Sequence, residues 1–470
     1  MSERRDQLQS YQFVMQRVVS ALVMRETDPV RSPFRRAAGA MLASVMVAII
    51  ALAGVALFGV ISPGGNTSWK NEGAIVIEKE TGARYVYLGG KLHPVANYAS
   101  ALLLAKSASA KPVSVARASI SGVTRGRPLG IPGAPDSLPS ARNVSTSAWS
   151  LCSRQLQDTA GATKTESIVY VGREATQAKP LADNALIAKS ASGVTYLVWH
   201  GHRYAIRDAQ LILPALGFSE APAGLAPAWL NALPSGADLA RIAVPARGTP
   251  SKLPNVRTGQ VVLIETQGGE RQYHVALADG LAAITQVQAD ILLGDPETPA
   301  AQQGALRMSP AEYATSPRAG SLIPEAGPAA PPATTPKSTR PARADAAICA
   351  TYRDASGSPE ITLDATAQVP DATPATGGST RDGALLADRI IVEPGSGALV
   401  SALPSPTAPA GSLAIVTDLG VRYPIPAPDV QKMLGYATTT PLRLPAALVA
   451  LIPAGPPLDP ATALTPVLLN

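Results

Sequence analysis

The sequence predicts an α+β protein. One N-terminal transmembrane helix leads into a large extracytoplasmic domain with a β-rich central core and four small hairpin–helix repeat lobes. Three observations carry that prediction. Residues 37–61 contain no charged side chain, a longer run than the roughly 20 apolar residues that cross a ~30 Å hydrocarbon core. After it, an alternating apolar pattern broken by a glycine recurs four times. Finally, the 470 residues hold only two cysteines, Cys152 and Cys349.

The apolar run is read as a single span. A signal-peptide core is usually shorter and nearer the start. Arg31, Arg35 and Arg36 crowd its leading edge, and Arg4, Arg5, Arg17 and Arg25 precede them. Short Arg-rich flanks stay cytoplasmic, so the N-terminus is expected inside and the C-terminal domain in the periplasm of a single-pass inner (plasma) membrane protein. Pro63, Gly64 and Gly65 end the helix, and Trp69 is expected at the far membrane interface.

Ahead of the span, residues 2–25 form an amphipathic helix. Leu8, Tyr11, Met15, Val18 and Leu22 fall at helical spacings of three and four. A lone helix of this length is marginal in water, so its apolar face needs either the membrane interface or a partner protein.

Composition narrows the function of the rest. Net charge is +6, and no dense Lys/Arg patch with interleaved aromatics appears; nucleic acid is not expected as a partner. The two cysteines lie on the oxidising side and most simply pair with each other, with two buried free thiols as the alternative.

The repeat is visible in RYVYLGGKLHPV (84–95), TYLVWHGHRYAI (195–206), RQYHVALADGLAAI (271–284) and LAIVTDLGVRYPI (413–425). Each reads as a hairpin turned at a glycine, Gly90, Gly201, Gly280 or Gly420, which supplies a positive φ. A short helix follows each, and Gly217, Gly294 and Gly435 are placed to cap the last three. Segments 387–402 and those around the two cysteines are assigned to the central body. RGRPLGIPGAPDSLP (125–139) reads as a stiff connecting loop, and the Pro/Ala-rich 316–346 as an extended, mobile insertion. The expected organisation is an inner arm at 1–36, the span at 37–61, and lobe one at 62–112. An early core segment (113–184), lobe two (185–240), lobe three (241–315) and a linker (316–346) follow. A late core segment takes 347–411, and lobe four with the tail takes 412–470.

No catalytic pattern assembles along the chain. Gly90-Lys91 lacks the leading glycine and trailing Ser/Thr of a phosphate loop. His200 and His202 sit two apart with no third ligand nearby in sequence, and Asp382 and Asp388 read as surface acids. No catalytic residue, metal or cofactor is expected. An envelope-polymer binder fits the repeats, but few aromatics are available to stack on sugars.

Taken together, the opening RRDQLQSYQFVMQRVVSALVMRETDPVRSPFRR, the single span, RPLGIPGAPDSLP, the Cys152/Cys349 pair and the four hairpin–helix units resemble the EccB family of type VII (ESX) secretion systems of mycobacteria. The resemblance runs along essentially the whole chain. It implies a structural subunit of an inner-membrane secretion complex, built with other EccB copies, the EccC motor ATPase, EccD, EccE and a mycosin protease. ATP hydrolysis is also ascribed to that family and stands as the runner-up activity.

Overall fold

The computed structural model describes residues 2–25, 33–61, 68–107, 111–157, 160–323, 327–355 and 358–468. They divide into a smaller unit, 1–70 with 77–82 and 113–123, and a larger one, 71–76 with 83–112 and 124–470. In the smaller unit, Ser2–Met24 and Pro33–Ile61 are helices. Trp69 does not stand at a membrane interface. It is fully buried, and its indole Nε1 donates to Ser119 Oγ at 3.3 Å. A buried indole N–H needs an acceptor inside the protein, and a polar neighbour fifty residues on supplies it.

The larger unit is built on a six-stranded sheet. Its strands, in spatial order, are Arg389–Ile391, Thr163–Tyr170, Trp149–Gln157, Ala347–Tyr352, Glu360–Ala365 and Lys179–Pro180. Cys152 stands directly opposite Cys349 on adjacent antiparallel strands, with Cα atoms 4.0 Å apart, and the two are joined as a disulfide. One face of this sheet carries Trp149, Leu151, Ile348 and Tyr352 into a cluster with Val198 and Trp229 of lobe two and Val416 and Leu448 of lobe four. The other face holds the disulfide, Ile168 and Tyr170. Burial pushes the Tyr170 phenol up to about 12, and its hydroxyl donates to the Gln368 carbonyl.

Four further sheets have four strands each and one common order: second hairpin strand, first hairpin strand, a lead-in strand, and a late strand. In lobe two the lead-in is Leu186–Lys189, the hairpin Thr195–Trp199 with His202–Ile206, and the late strand Ala223–Gly224. In lobe four the lead-in is Gly397–Leu403, which the sequence pattern assigns to the central body. It pairs instead with Ser412–Thr417 and Leu442–Pro445. A buried, apolar strand looks the same in either sheet, so the pattern alone does not say which one it joins.

Each hairpin is finished by an extended strap along its outer edge. Leu92 pairs with Arg125, Arg203 with Ser235, Leu281 with Arg318 and Arg422 with Ala454, all parallel. Two expected linkers are therefore structural. Residues 125–129 strap lobe one. In the Pro/Ala-rich stretch, 324–326 lie outside the described residues; the rest is hydrogen-bonded, not a free insertion. Pro317 accepts from Leu281, Ala329 from Ala237, Ala333 from Val287 and Lys337 from Ala185. Proline lacks an N–H but keeps its carbonyl, so a Pro-rich chain can still serve as an acceptor edge.

The hairpin glycines divide. Gly90, Gly201 and Gly420 have φ of 76°, 72° and 70°, as the turn demands. Gly280 does not adopt a positive φ. Its lobe turns one residue earlier, with Leu277 N–H closing on the Gly280 carbonyl. What excludes a side chain there is the strap, since a Cβ would lie 2.5 Å from the Pro317 carbonyl oxygen. Likewise Gly217 and Gly435 have positive φ, but Gly294 is the last residue of helix Gln286–Gly294, and a Cβ would meet Ala215 of the lobe-two helix at 2.6 Å.

Candidate functional site

The surfaces available for assembly begin with the two N-terminal helices. Ala38–Leu57 has a mean hydropathy of 2.6 and none of it is covered by protein. Arg35 and Arg36 fall in the first turn of the Pro33–Ile61 helix, while Arg31 lies outside the described residues. On the Ser2–Met24 helix, Leu8, Tyr11, Met15, Val18 and Leu22 are between 47% and 76% exposed, together with Phe13 and Val14. A soluble helix buries such a stripe; here it stands exposed among the described residues.

The straps form a second element, one that the sequence pattern did not reveal. In lobes one, two and four the pattern is Gly-x-x-Leu: Gly126 to Leu129, Gly236 to Leu239 and Gly455 to Leu458. The glycine N–H donates to the carbonyl of Leu92, Arg203 or Arg422, and the leucine N–H donates to that of Pro94, Ala205 or Pro424. Each glycine lies against a ring. A Cβ on Gly126, Gly236 or Gly455 would sit 2.3 Å from His93, 2.1 Å from Tyr204 or 2.2 Å from Tyr423. All three leucines are buried. The likeness of the tails LPSGADL and IPAGPPL in lobes two and four is visible in the sequence, and GRPL joins them, but only the sheet edge gives the motif its meaning.

Electrostatics at the lobes is local. Asp136 pairs with Arg84, and that hydrogen bond holds its carboxyl below the ordinary range. Arg422 is lowered by burial, with its Nε donating to the Ile452 carbonyl at 2.9 Å, while Arg203 reaches Asn231 at the matching place in lobe two. His274 is buried, accepts or donates at Nε2 to Tyr313 Oη at 2.7 Å, and is lowered by desolvation and by Arg318.

His200, His202, His93 and Asp388 each have a partner within the fold. His200 contacts Asp183 at 2.9 Å, and His202 Nδ1 lies 2.9 Å from Ser358 Oγ, so the two imidazoles have different partners. His93 contacts the Arg127 carbonyl. Asp388 accepts from the Ser167 N–H and hydroxyl, pinning the core to the 373–389 loop. Among the described residues no three His, Cys, Asp or Glu side chains gather as a metal site. A cavity of about 870 Å³ opens beside lobe three, lined by Leu239, Ile242, Ile284, Val287, Ile291 and Leu322 among others.

A family described as "Type VII secretion system ESX-1, transport TM domain B" matches residues 2–467. The chain belongs to the EccB family. A relative from Mycolicibacterium smegmatis, "ESX-3 secretion system ATPase EccB3", is 31% identical over 98% of this chain and 90% of its own length. The protein of the same name from Mycobacterium tuberculosis is 29% identical over 98% of this chain and 89% of its own. Among solved structures, a chain of an intact ESX-5 inner membrane complex superposes with a TM-score of 0.65 at 25% identity, covering 98% of this chain and 95% of that one. The EccB3 dimer from the ESX-3 core complex gives 0.63 at 28% identity, covering 83% of this chain and 100% of that one. Over 98% of its length this EccB chain thus resembles a chain of a solved secretion inner-membrane complex.

Proposed function

We propose that this EccB chain is a structural subunit of a type VII secretion inner-membrane complex. Its span fixes it in the plasma membrane with residues 1–36 in the cytoplasm, and its four-lobed domain builds the periplasmic part with other EccB copies. The observation that carries the reading is the pairing of an uncovered apolar span with a large β-rich domain stapled by the Cys152–Cys349 disulfide. The solved ESX-5 complex and EccB3 dimer support it by likeness. The exposed stripe from Leu8 to Leu22 is the surface for the cytoplasmic partners, EccC and EccD, with EccE and the mycosin protease completing the set.

Deleting residues 1–25 and purifying the complex through the EccB C-terminus tests this. Loss of EccC and EccD, with the chain still in the membrane fraction, is expected; undiminished recovery of both would sink the docking role of the helix. A C-terminal reporter active only in the cytosol would overturn the orientation. The word ATPase in the relatives' names favours a second reading, an extracytoplasmic ATP hydrolase with a non-P-loop site. ATP turnover that follows the chain through successive columns and is lost with it would establish that activity.

A further inference from the structure

Lobe three is the one whose strap is incomplete. Ala319 N–H donates to the Leu281 carbonyl, matching the glycines of the other straps. Three residues on, Leu322 occupies the sequence position of Leu129, Leu239 and Leu458, but it is half-buried. The Ala283 carbonyl, counterpart of those at Pro94, Ala205 and Pro424, accepts no strap N–H among the described residues. The cause is local. The lobe-three helix is capped one residue early, and Thr285 N–H, whose counterpart Arg207 N–H donates to the Leu239 carbonyl, is taken by Gln288 Oε1 at 2.9 Å. With one of its two backbone partners diverted, the strap leaves the sheet edge. The 870 Å³ cavity lies there, within the ~300–1,000 Å³ range of ligand clefts.

We propose that this edge is a peptide-binding site. It receives an extended segment of a partner protein beside Ala283–Ile284, just past the point where the strap has left Leu281, whose leucine N–H pairs with the Ala283 carbonyl and whose side chain enters the cavity. Strand addition of this kind draws affinity from the backbone and selectivity from the pocket. Three sister lobes show what such an edge accepts, since each holds a parallel segment with a buried leucine at that place. Charge points to the same occupant. Arg241 is paired with Glu297 and Asp238 with Arg207, so the charged wall residues among those described already have partners and an uncharged apolar side chain matches. None of these contacts depends on the chain's place in a secretion complex.

The test uses the full chain in detergent and a fluorescent peptide with the sequence of residues 456–463, PPLDPATA, this protein's own lobe-four strap from the residue after the glycine, whose place Ala319 already fills in lobe three. Saturable binding, weakened at least tenfold by a Leu-to-Asp change in the peptide and by Ile242→Glu in the half-buried cavity wall, is expected. A second wall variant, Ser321→Trp, guards against misfolding of the first, with unchanged melting temperature as the control. Binding indifferent to the peptide leucine, or to both wall variants, overturns the proposal. So does absence of peptide binding, whether the cavity then takes a dansylated fatty acid in its place or Leu322 alone proves to fill it.

Discussion

Lobes two and four are close copies, and lobe three departs from both at two places that explain each other. In the first pair a tyrosine ring, Tyr204 or Tyr423, lies across the strap, so the strap must carry glycine at 236 or 455. In lobe three the matching position is Ala282, and the strap carries Ala319 in place of glycine. The lesson is that strap and hairpin vary together: ring with glycine, or small residue with alanine. Lobes two and four also share a hydrophobic cluster with the core sheet, whereas the clusters on both faces of the lobe-three sheet are separate from it.

That difference can be broken most strongly at the disulfide. Replacing both Cys152 and Cys349 by Ala releases a 197-residue separation and should cost about 2–5 kcal/mol. Hydrogen exchange should quicken in the core sheet and in lobes two and four, and least in lobe three; equal loss everywhere would erase the contrast. Next come Gly236→Ala and Gly455→Ala, each expected to cost about 1–3 kcal/mol by overpacking against a ring. Ala319→Gly, where no ring stands opposite, should cost under about 1 kcal/mol. Thermal melts of the three variants decide it.

The strap-cap competition gives a smaller effect. Thr285→Ala removes a capping box and should cost about 1 kcal/mol. Gln288→Ala frees the Thr285 N–H, and exchange at the Leu322 amide should slow as its strap returns to the edge.

Acid reaches lobe three through His274, which has no histidine counterpart in lobes two and four. Its folded-state pKa is lowered below the ordinary 6.5, first by burial and then by Arg318. The folded protein therefore binds fewer protons than the unfolded one, so stability falls as pH drops below about 6.5 towards the lowered value. His274→Gln should flatten the pH dependence of melting over that window while leaving lobes two and four unchanged.

Much of this was legible from residues alone. A charge-free run announces a span because no soluble core needs one that long, and alternation around Gly90, Gly201 and Gly420 announces hairpins. The straps were not legible, because a parallel edge segment is held by its backbone, and backbone pairing leaves no side-chain period to read. The same blindness put Gly397–Leu403 in the wrong sheet, gave Gly280 a positive φ it does not adopt, and treated the hydrogen-bonded parts of 316–346 as loose.

Composition and order along the chain thus determined the anchor, the amphipathic arm, the repeat and the single cystine. These depend on hydrophobicity and periodicity, which are local. Only the folded chain decided which strand joins which sheet, which glycines yield to a neighbouring ring or carbonyl, and which lobe keeps an open edge. Those outcomes turn on contacts a few ångströms long between residues far apart in sequence, such as Gly455 with Tyr423 and Gly280 with Pro317.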